Sequence, residues 1–239
     1  MSRTVIVLGG ARSGTSLTAG ILHSLGVPMV TKKGRTCNGN PHSAFEDETM
    51  VTWTVQWKKR LDRGDPISLL AQEYQGAIKG WIKQRTSASG GMWGWKSAQT
   101  HYSIDLVMPC VTEPCFVCVF RNVLHQSISH AIMTEPEIFT SQDRSLINKP
   151  RTVAHGRVLS SMGAVVRGLL VLDGVLKKYP QVPKIMLAKE DISADPQSAA
   201  SKLSDFLGIP FDGEKRRAVN SVAIKGYSCW NKKVTKLEG

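Results

Sequence analysis

The run Gly9-Gly10-Ala11-Arg12-Ser13-Gly14-Thr15-Ser16 packs three glycines, three hydroxyls and one guanidinium into eight residues. Glycines let a chain turn tightly enough for successive backbone amides to face one cavity. A helix that begins at the end of such a turn adds a partial positive charge. A phosphate is the natural occupant, with the loop's backbone amides and the Ser13, Thr15 and Ser16 hydroxyls as its donors. A plain strand-to-helix turn is the competing reading. A loop that hydrolyses ATP or GTP would carry lysine where Thr15 stands, and an acid at a strand end to hold Mg²⁺. The lysine is absent, and no apolar strand runs directly into such an acid. Nucleotide hydrolysis is therefore disfavoured, and no metal is expected.

Such a loop works only if strands and helices hold it. Val5 to Leu8 reads as a short apolar strand, and a helix follows from about Thr15 to Leu25, with Leu17, Ile21 and Leu25 at helical spacing and Gly26 as its stop. Residues 30 to 44 read as a polar loop. The next helix begins near Glu46-Asp47-Glu48 and carries Met50, Trp53, Trp57 and Leu61 on one face. Its acidic start and basic end complement the helix dipole. Another helix is expected over about Ile67 to Lys83, then strands at Met92 to Trp95 and Phe116 to Phe120. A long helix from about Val153 to Lys178, a strand at Lys184 to Ala188 and a helix capped by Asp195-Pro196 and ended by Gly208 complete the reading.

Strands alternating with helices predict an α/β fold, a three-layer sandwich around a mostly parallel central sheet. Ligands of such sheets sit beyond the carboxyl ends of the strands. The polar residues at those ends are Arg12 and Ser13, Lys96, Arg121 and Asn122, and Glu190 and Asp191. Three of the four places bring a cation to one edge, which makes an anion site without reference to any motif.

Bulk composition agrees. The chain has 239 residues, 41% hydrophobic and 21% charged, the balance of a globular enzyme rather than a disordered or fibrous chain. A single domain over 1–239 is expected, with 1–235 as its core and 236–239 as a tail without function. Lysine and arginine number 31 against 19 acids, a formal net charge of +12. That excess points to an anionic ligand or partner. The basic residues are dispersed in short clusters such as Lys58-Lys59-Arg60 and Lys215-Arg216-Arg217, so solvated surface charge explains part of it. The longest apolar run, Cys115 to Phe120, is too short to span a membrane. Five scattered cysteines form no disulfide framework and fit a reducing, cytoplasmic setting. Cys115 and Cys118 lie three apart on a strand, so they point to opposite faces and cannot share a metal.

With these residues in view, the chain resembles the sulfotransferases that use 3′-phosphoadenosine 5′-phosphosulfate (PAPS) on a P-loop-like fold. Residues 10 to 16, Gly-Ala-Arg-Ser-Gly-Thr-Ser, are similar to the family's 5′-phosphosulfate loop. Arg121-Asn122 with Ser129 eight residues on resembles its 3′-phosphate segment, and Trp93-Gly94-Trp95-Lys96 resembles its Trp-Gly-Trp-Lys strand. Asn40-Pro41-His42-Ser43-Ala44-Phe45-Glu46, Lys189-Glu190-Asp191 with Phe206-Leu207-Gly208-Ile209-Pro210, and Lys225-Gly226 before Trp230 follow in family order. Val123 stands where the family has proline, and Ser97-Ala98 where it has Asp-Pro.

The resemblance implies roles. Arg12, Ser13, Gly14, Thr15 and Ser16 would hold the phosphosulfate, Arg121 and Ser129 the 3′-phosphate, and Lys225 and Gly226 would close on the nucleotide, which leaves as 3′-phosphoadenosine 5′-phosphate (PAP). Arg12 and Lys96 would stabilise charge during transfer, and Glu46 would act as general base. His42 and His101 are the alternative bases, and Glu46 within its acidic triplet also suits a plain helix start. The acceptor would be a small-molecule or glycan hydroxyl, a carbohydrate being one candidate, with no nucleic acid. The segment Arg144 to Arg157, with Lys149, Arg151 and His155, reads equally as a contact for an anionic acceptor or as a solvated loop. An ATP-dependent phosphotransferase and a non-catalytic nucleotide- or nucleic-acid-binding protein are the competing functions.

Overall fold

Val5, Ile6, Val7 and Leu8 have no accessible surface at all, and a strand this apolar has to be covered on both faces. In the computed structural model, which describes residues 3–29, 45–134 and 151–222, it is the inner strand β1, Thr4–Leu8. β1 pairs in parallel with β2, Trp93–Lys96, on one side and with β3, Pro114–Phe120, on the other. β4, Lys184–Ala188, completes an all-parallel sheet of order β2-β1-β3-β4.

Alternate residues of the strands feed two cores. Val5, Val7, Cys115, Val117 and Val119 face one; Ile6, Leu8, Phe116 and Cys118 face the other. The two cysteines thus part to opposite sides, as their spacing requires. Burial raises their thiol pKa values to about 11 and about 12, so both are inert packing residues.

The first core is roofed by α1 (Thr15–Ser24), α7 (Lys189–Ala194), α8 (Pro196–Leu207) and a last helix α9 over 213–222. The second is roofed by α2 (Glu48–Asp62), α3 (Ile67–Ser89), α4 (Thr100–Val107) and α6 (Arg151–Lys178). α5 (Val123–Thr134) leaves β3 and packs along α6. Helix α6 holds a stretch, His155–Lys178, long and apolar enough by composition to cross a membrane. Here Val165, Leu172 and Val175 of that stretch are buried in the protein.

Two departures from expectation have simple causes. α3 runs on to Ser89 rather than stopping at Lys83, because its true stop is Gly90 in the left-handed conformation. Within the added turn Arg85 is buried and donates to the carbonyls of Met29 and Gly94 at 3.0 and 3.3 Å. The acidic triplet also divides: Asp47 is the N-cap of α2, its Oδ1 accepting from Met50 N at 3.1 Å, and Glu46 stands outside the helix.

β1 exits into the first layer and β3 into the second. Loops that diverge in this way open a crevice at the carboxyl edge of the sheet. β2 is fixed beside it by aromatic packing. Trp93 and Trp95 turn the same way and both meet Trp81 of α3, with ring centroids 5.4 and 5.5 Å apart. Gly94 between them faces the opposite side, where a Cβ would lie 2.6 Å from the Val5 carbonyl oxygen. No other residue fits there.

Candidate active site

The loop after β1 is turned by two left-handed residues, Arg12 at φ 65° and Gly14 at φ 104°. Left-handed residues alternating with right-handed ones point backbone amides into a shared concavity, the geometry of an anion nest. A non-glycine residue in this region is strained, and such strain collects at functional loops. Gly9 is needed for contact: a Cβ there would come within 2.7 Å of Ser13 Oγ and of the Val119 carbonyl oxygen. Thr15 opens α1. Ser13 Oγ is buried without a hydrogen-bond partner.

Residues from the β3–α5 junction hold this loop. Arg121 Nη1 donates to the Arg12 carbonyl oxygen at 3.1 Å, and Gln126 Nε2 donates to that of Ala11 at 2.8 Å. In return Arg12 Nε donates to Ser129 Oγ at 3.0 Å. Ser129 therefore meets Arg12 directly, while Arg121 reaches the loop backbone and keeps its buried Nε without a partner. Gln126, which the sequence reading passes over, is as deeply buried as Ser129. A signal for it existed: Asn122 Oδ1 accepts from His125 N at 3.2 Å, so Asn122 caps α5 and sets Gln126 and Ser129 on its first turns.

The fourth strand also delivers a cation, which corrects the expectation of an acidic end at Glu190 and Asp191. Lys189 is the first residue after β4, and its Cγ would lie 2.5 Å from a Cβ on Gly14. All four strands thus bring a cation to one edge. The cations feel one another. Burial first and then Arg121 lower the Arg12 pKa; burial lowers that of Arg121, opposed by Glu190. Lys189 is lowered by burial, then by Arg121 and Arg12, with Glu190 opposing. Like charges held together out of water destabilise a fold unless an anion joins them. Lys189→Met is expected to weaken the binding of inorganic pyrophosphate, a compact polyanion, by roughly tenfold or more, the scale of one charge-assisted hydrogen bond. Calorimetry reads the affinity. A thermal melt should show unchanged or raised stability, since the substitution also removes repulsion.

On the other flank Lys96 ends β2 with its side chain only 3% exposed, and its Nζ lies 2.5 Å from Oε1 of Glu46, which is 31% exposed. Ser97 Oγ and Thr54 Oγ1 of α2 are 3.2 Å apart, tying the strand end to the helix that follows Glu46. Asp47 and Glu48 serve the helix start, so the Glu46 carboxylate is committed to Lys96.

His101 is a poor base. It is 3% exposed, neither ring nitrogen has a partner, and burial lowers its pKa to about 4. His42, Lys225, Gly226, the 30–44 loop, Arg144 and Lys149 lie outside the described residues, as does the side chain of Arg151. Among the described residues no group of three or more His, Cys, Asp or Glu side chains is placed to hold a metal ion.

A sequence model of the sulfotransferase family matches residues 4–213. No curated protein matches the sequence. Among solved structures, the chain is similar to sulfotransferase STF9 from Mycobacterium avium, at 14% identity and a TM-score of 0.58, covering 92% of this chain and 67% of that one. It is also similar to the sulfotransferase domain from the curacin biosynthetic pathway, at 13% identity and a TM-score of 0.51, covering 90% of this chain and 77% of that one. At these identities the likeness is one of fold.

Proposed function

The chain belongs to the sulfotransferase family, and from that premise we propose that it transfers a sulfuryl group from PAPS to a hydroxyl, a carbohydrate hydroxyl being the first candidate. The observation that carries the reading is the ring of cations Arg12, Lys96, Arg121 and Lys189 at one sheet edge, around a loop whose Ser13 hydroxyl and Arg121 Nε are buried without partners. PAPS has anions at two positions of its ribose, and the residues fit both. Arg12, Ser13, Gly14, Thr15 and Ser16 take the phosphosulfate; Arg121 and Ser129 face the 3′-phosphate, with Lys189 between the two sets.

In the transfer, the acceptor oxygen forms a bond to sulfur as the bond from sulfur to the phosphate oxygen breaks, and PAP leaves. Negative charge grows on the departing oxygen, where Arg12 and Lys96 stabilise it. Glu46 takes the acceptor's proton. Its ion pair with Lys96 keeps the carboxylate oriented beside that oxygen, and the growing charge gives Lys96 a second anionic partner at the moment the base is needed. The scheme asks for no metal. We place the reaction in a reducing, cytoplasmic setting, in keeping with the few scattered cysteines.

Two measurements test this. Calorimetry at moderate salt should show PAP binding more tightly than ATP or adenosine 5′-phosphate; equal or tighter ATP binding would favour a phosphotransferase and end the proposal. Glu46→Gln should cut kcat at least tenfold, within the roughly 10²- to 10⁴-fold worth of a general base, with PAP affinity nearly kept. Unchanged turnover would move the proton transfer to another group.

A further inference from the structure

Phe45, Glu46 and Asp47 carry the chain from one layer of the fold to the other. Phe45 packs against the first core, and Met50, a few residues on, is buried in the second. Glu46 stands at the crossing, with its Oε1 2.5 Å from Lys96 Nζ. A carboxylate between two anchors keeps its place only if both hold.

The anchor that follows Glu46 is a helix cap. Asp47 is buried, accepts from Met50 N at the start of α2, and its charge favours the buried guanidinium of Arg85. The anchor that precedes Glu46 is a ring on a helix. Phe45 Cε2 and Cζ lie 3.3 and 3.7 Å from the point that a Cβ on Gly20 would occupy. The ring therefore rests on the bare backbone of α1. His23 of the same helix sits beside it, with ring centroids 5.4 Å apart and planes tilted by 50°. Val222, at the end of α9, meets the same glycine, 2.7 Å from that Cβ position. A glycine inside a helix weakens it; here its missing side chain is what lets the ring approach.

α1 is also the helix that leaves the phosphate loop. From Thr15 to Gly20 the axis advances about 7.5 Å, at 1.5 Å per residue. The loop and the seat of Phe45 thus belong to one short, rigid body.

We propose that Phe45 is a positioning residue for the base: its ring, seated on Gly20 of α1, holds Glu46 against Lys96 at a fixed place relative to the phosphate loop. The inference rests on the reading of Glu46 as general base. Phe45 touches neither donor nor acceptor in this role and acts only through Glu46.

Carbodiimide coupling reads the pairing directly. The reagent activates the Glu46 carboxylate, Lys96 Nζ displaces it as the urea, and an amide joins the two side chains with net loss of one water. Mass spectrometry of the digested protein gives the yield. The Asp173–Lys177 pair, 2.7 Å apart on α6, supplies a reference. Such a coupling depends on proximity, so Phe45→Ala should lower the Glu46–Lys96 yield by roughly fivefold or more, with the reference unchanged. Phe45→Leu, which keeps an apolar group over Gly20, should retain most of it. Gly20→Ala presses on the same seat with a residue that favours the helix, and should lower the yield by roughly twofold or more. If the reference also falls in Phe45→Ala, that variant has lost its fold and Gly20→Ala decides. A Glu46–Lys96 yield that holds in the deciding variant overturns the proposal, and so does absence of the link in the unaltered protein. Donor and acceptor take no part in the coupling, so its failure strikes the role of Phe45 alone. Unchanged turnover in Glu46→Gln strikes the base reading instead.

Discussion

Lys96→Met is expected to lower kcat by roughly 10²- to 10³-fold, the cost of removing one aligned donor from a developing oxyanion, with PAP affinity changed only a few-fold. The size follows from burial. The Lys96 ammonium has almost no contact with water, and a charge in such a place acts with far less dielectric screening than a surface lysine. Methionine comes close to the length of the lysine and removes its charge. The Glu46 carboxylate left behind is about one-third exposed and can be solvated, so the fold should survive. Turnover is read as PAP released from PAPS in the presence of a hydroxyl acceptor. If kcat holds and only the KM for PAPS rises, Lys96 binds the donor in its ground state and does not stabilise the transition state. Combining Lys96→Met with Glu46→Gln should cost less than the product of the two, because a pair acting as a unit cannot be lost twice.

Arg121→Ala should weaken PAP by about 100-fold and adenosine 5′-phosphate by less than fivefold, measured by calorimetry. A hydrogen bond to a charged group is worth about 1.5–3 kcal/mol, and a guanidinium can make two to one phosphate. Arg121 also donates to the Arg12 carbonyl oxygen, so the substitution loosens the loop as well. That second effect falls on both nucleotides alike, and Gln126→Ala, which removes only a loop contact, supplies its size. Equal losses for the two nucleotides would make Arg121 a support of the loop and take it out of the 3′-phosphate site.

Much of this protein is legible before any coordinates. The apolar runs of β1 and β3 are readable because both faces of the sheet are covered, so no polar alternation obscures them. The last long helix is readable because its ends obey local rules: Asp195 Oδ1 accepts from Ser198 N at 2.9 Å, and Gly208 takes the left-handed cap. α4 is not. Its N-cap, Gln99, makes no side-chain bond, and its eight residues owe their shape to tertiary packing. Within the site, Arg12, Lys96 and Arg121 are visible because a cation at the end of an apolar strand is conspicuous. Lys189 stands directly after the strand that the sequence already ends at Ala188, and it is passed over because the two acids behind it are the more conspicuous charges. The pairing of Ser129 with Arg12 is also out of reach from sequence, since it spans 117 residues and depends on where β1 and β3 lie in the sheet.

The tryptophans under β2 have a use beyond holding that strand. Trp53, Trp57, Trp81, Trp93 and Trp95 all pack in the layer of α2 and α3, and the opposite layer contains none among the described residues. With Trp230, which lies outside the described residues, replaced by phenylalanine, intrinsic fluorescence becomes an optical probe of one half of the molecule, while circular dichroism in the far ultraviolet sees the helices of both. Denaturation followed by the two signals becomes a direct measure of cooperativity across the sheet. Coincident curves would mean that the phosphate loop, rooted in the dark layer, and the helices of the bright one melt as one unit. Separate curves would mean that the two sides of the sheet can come apart.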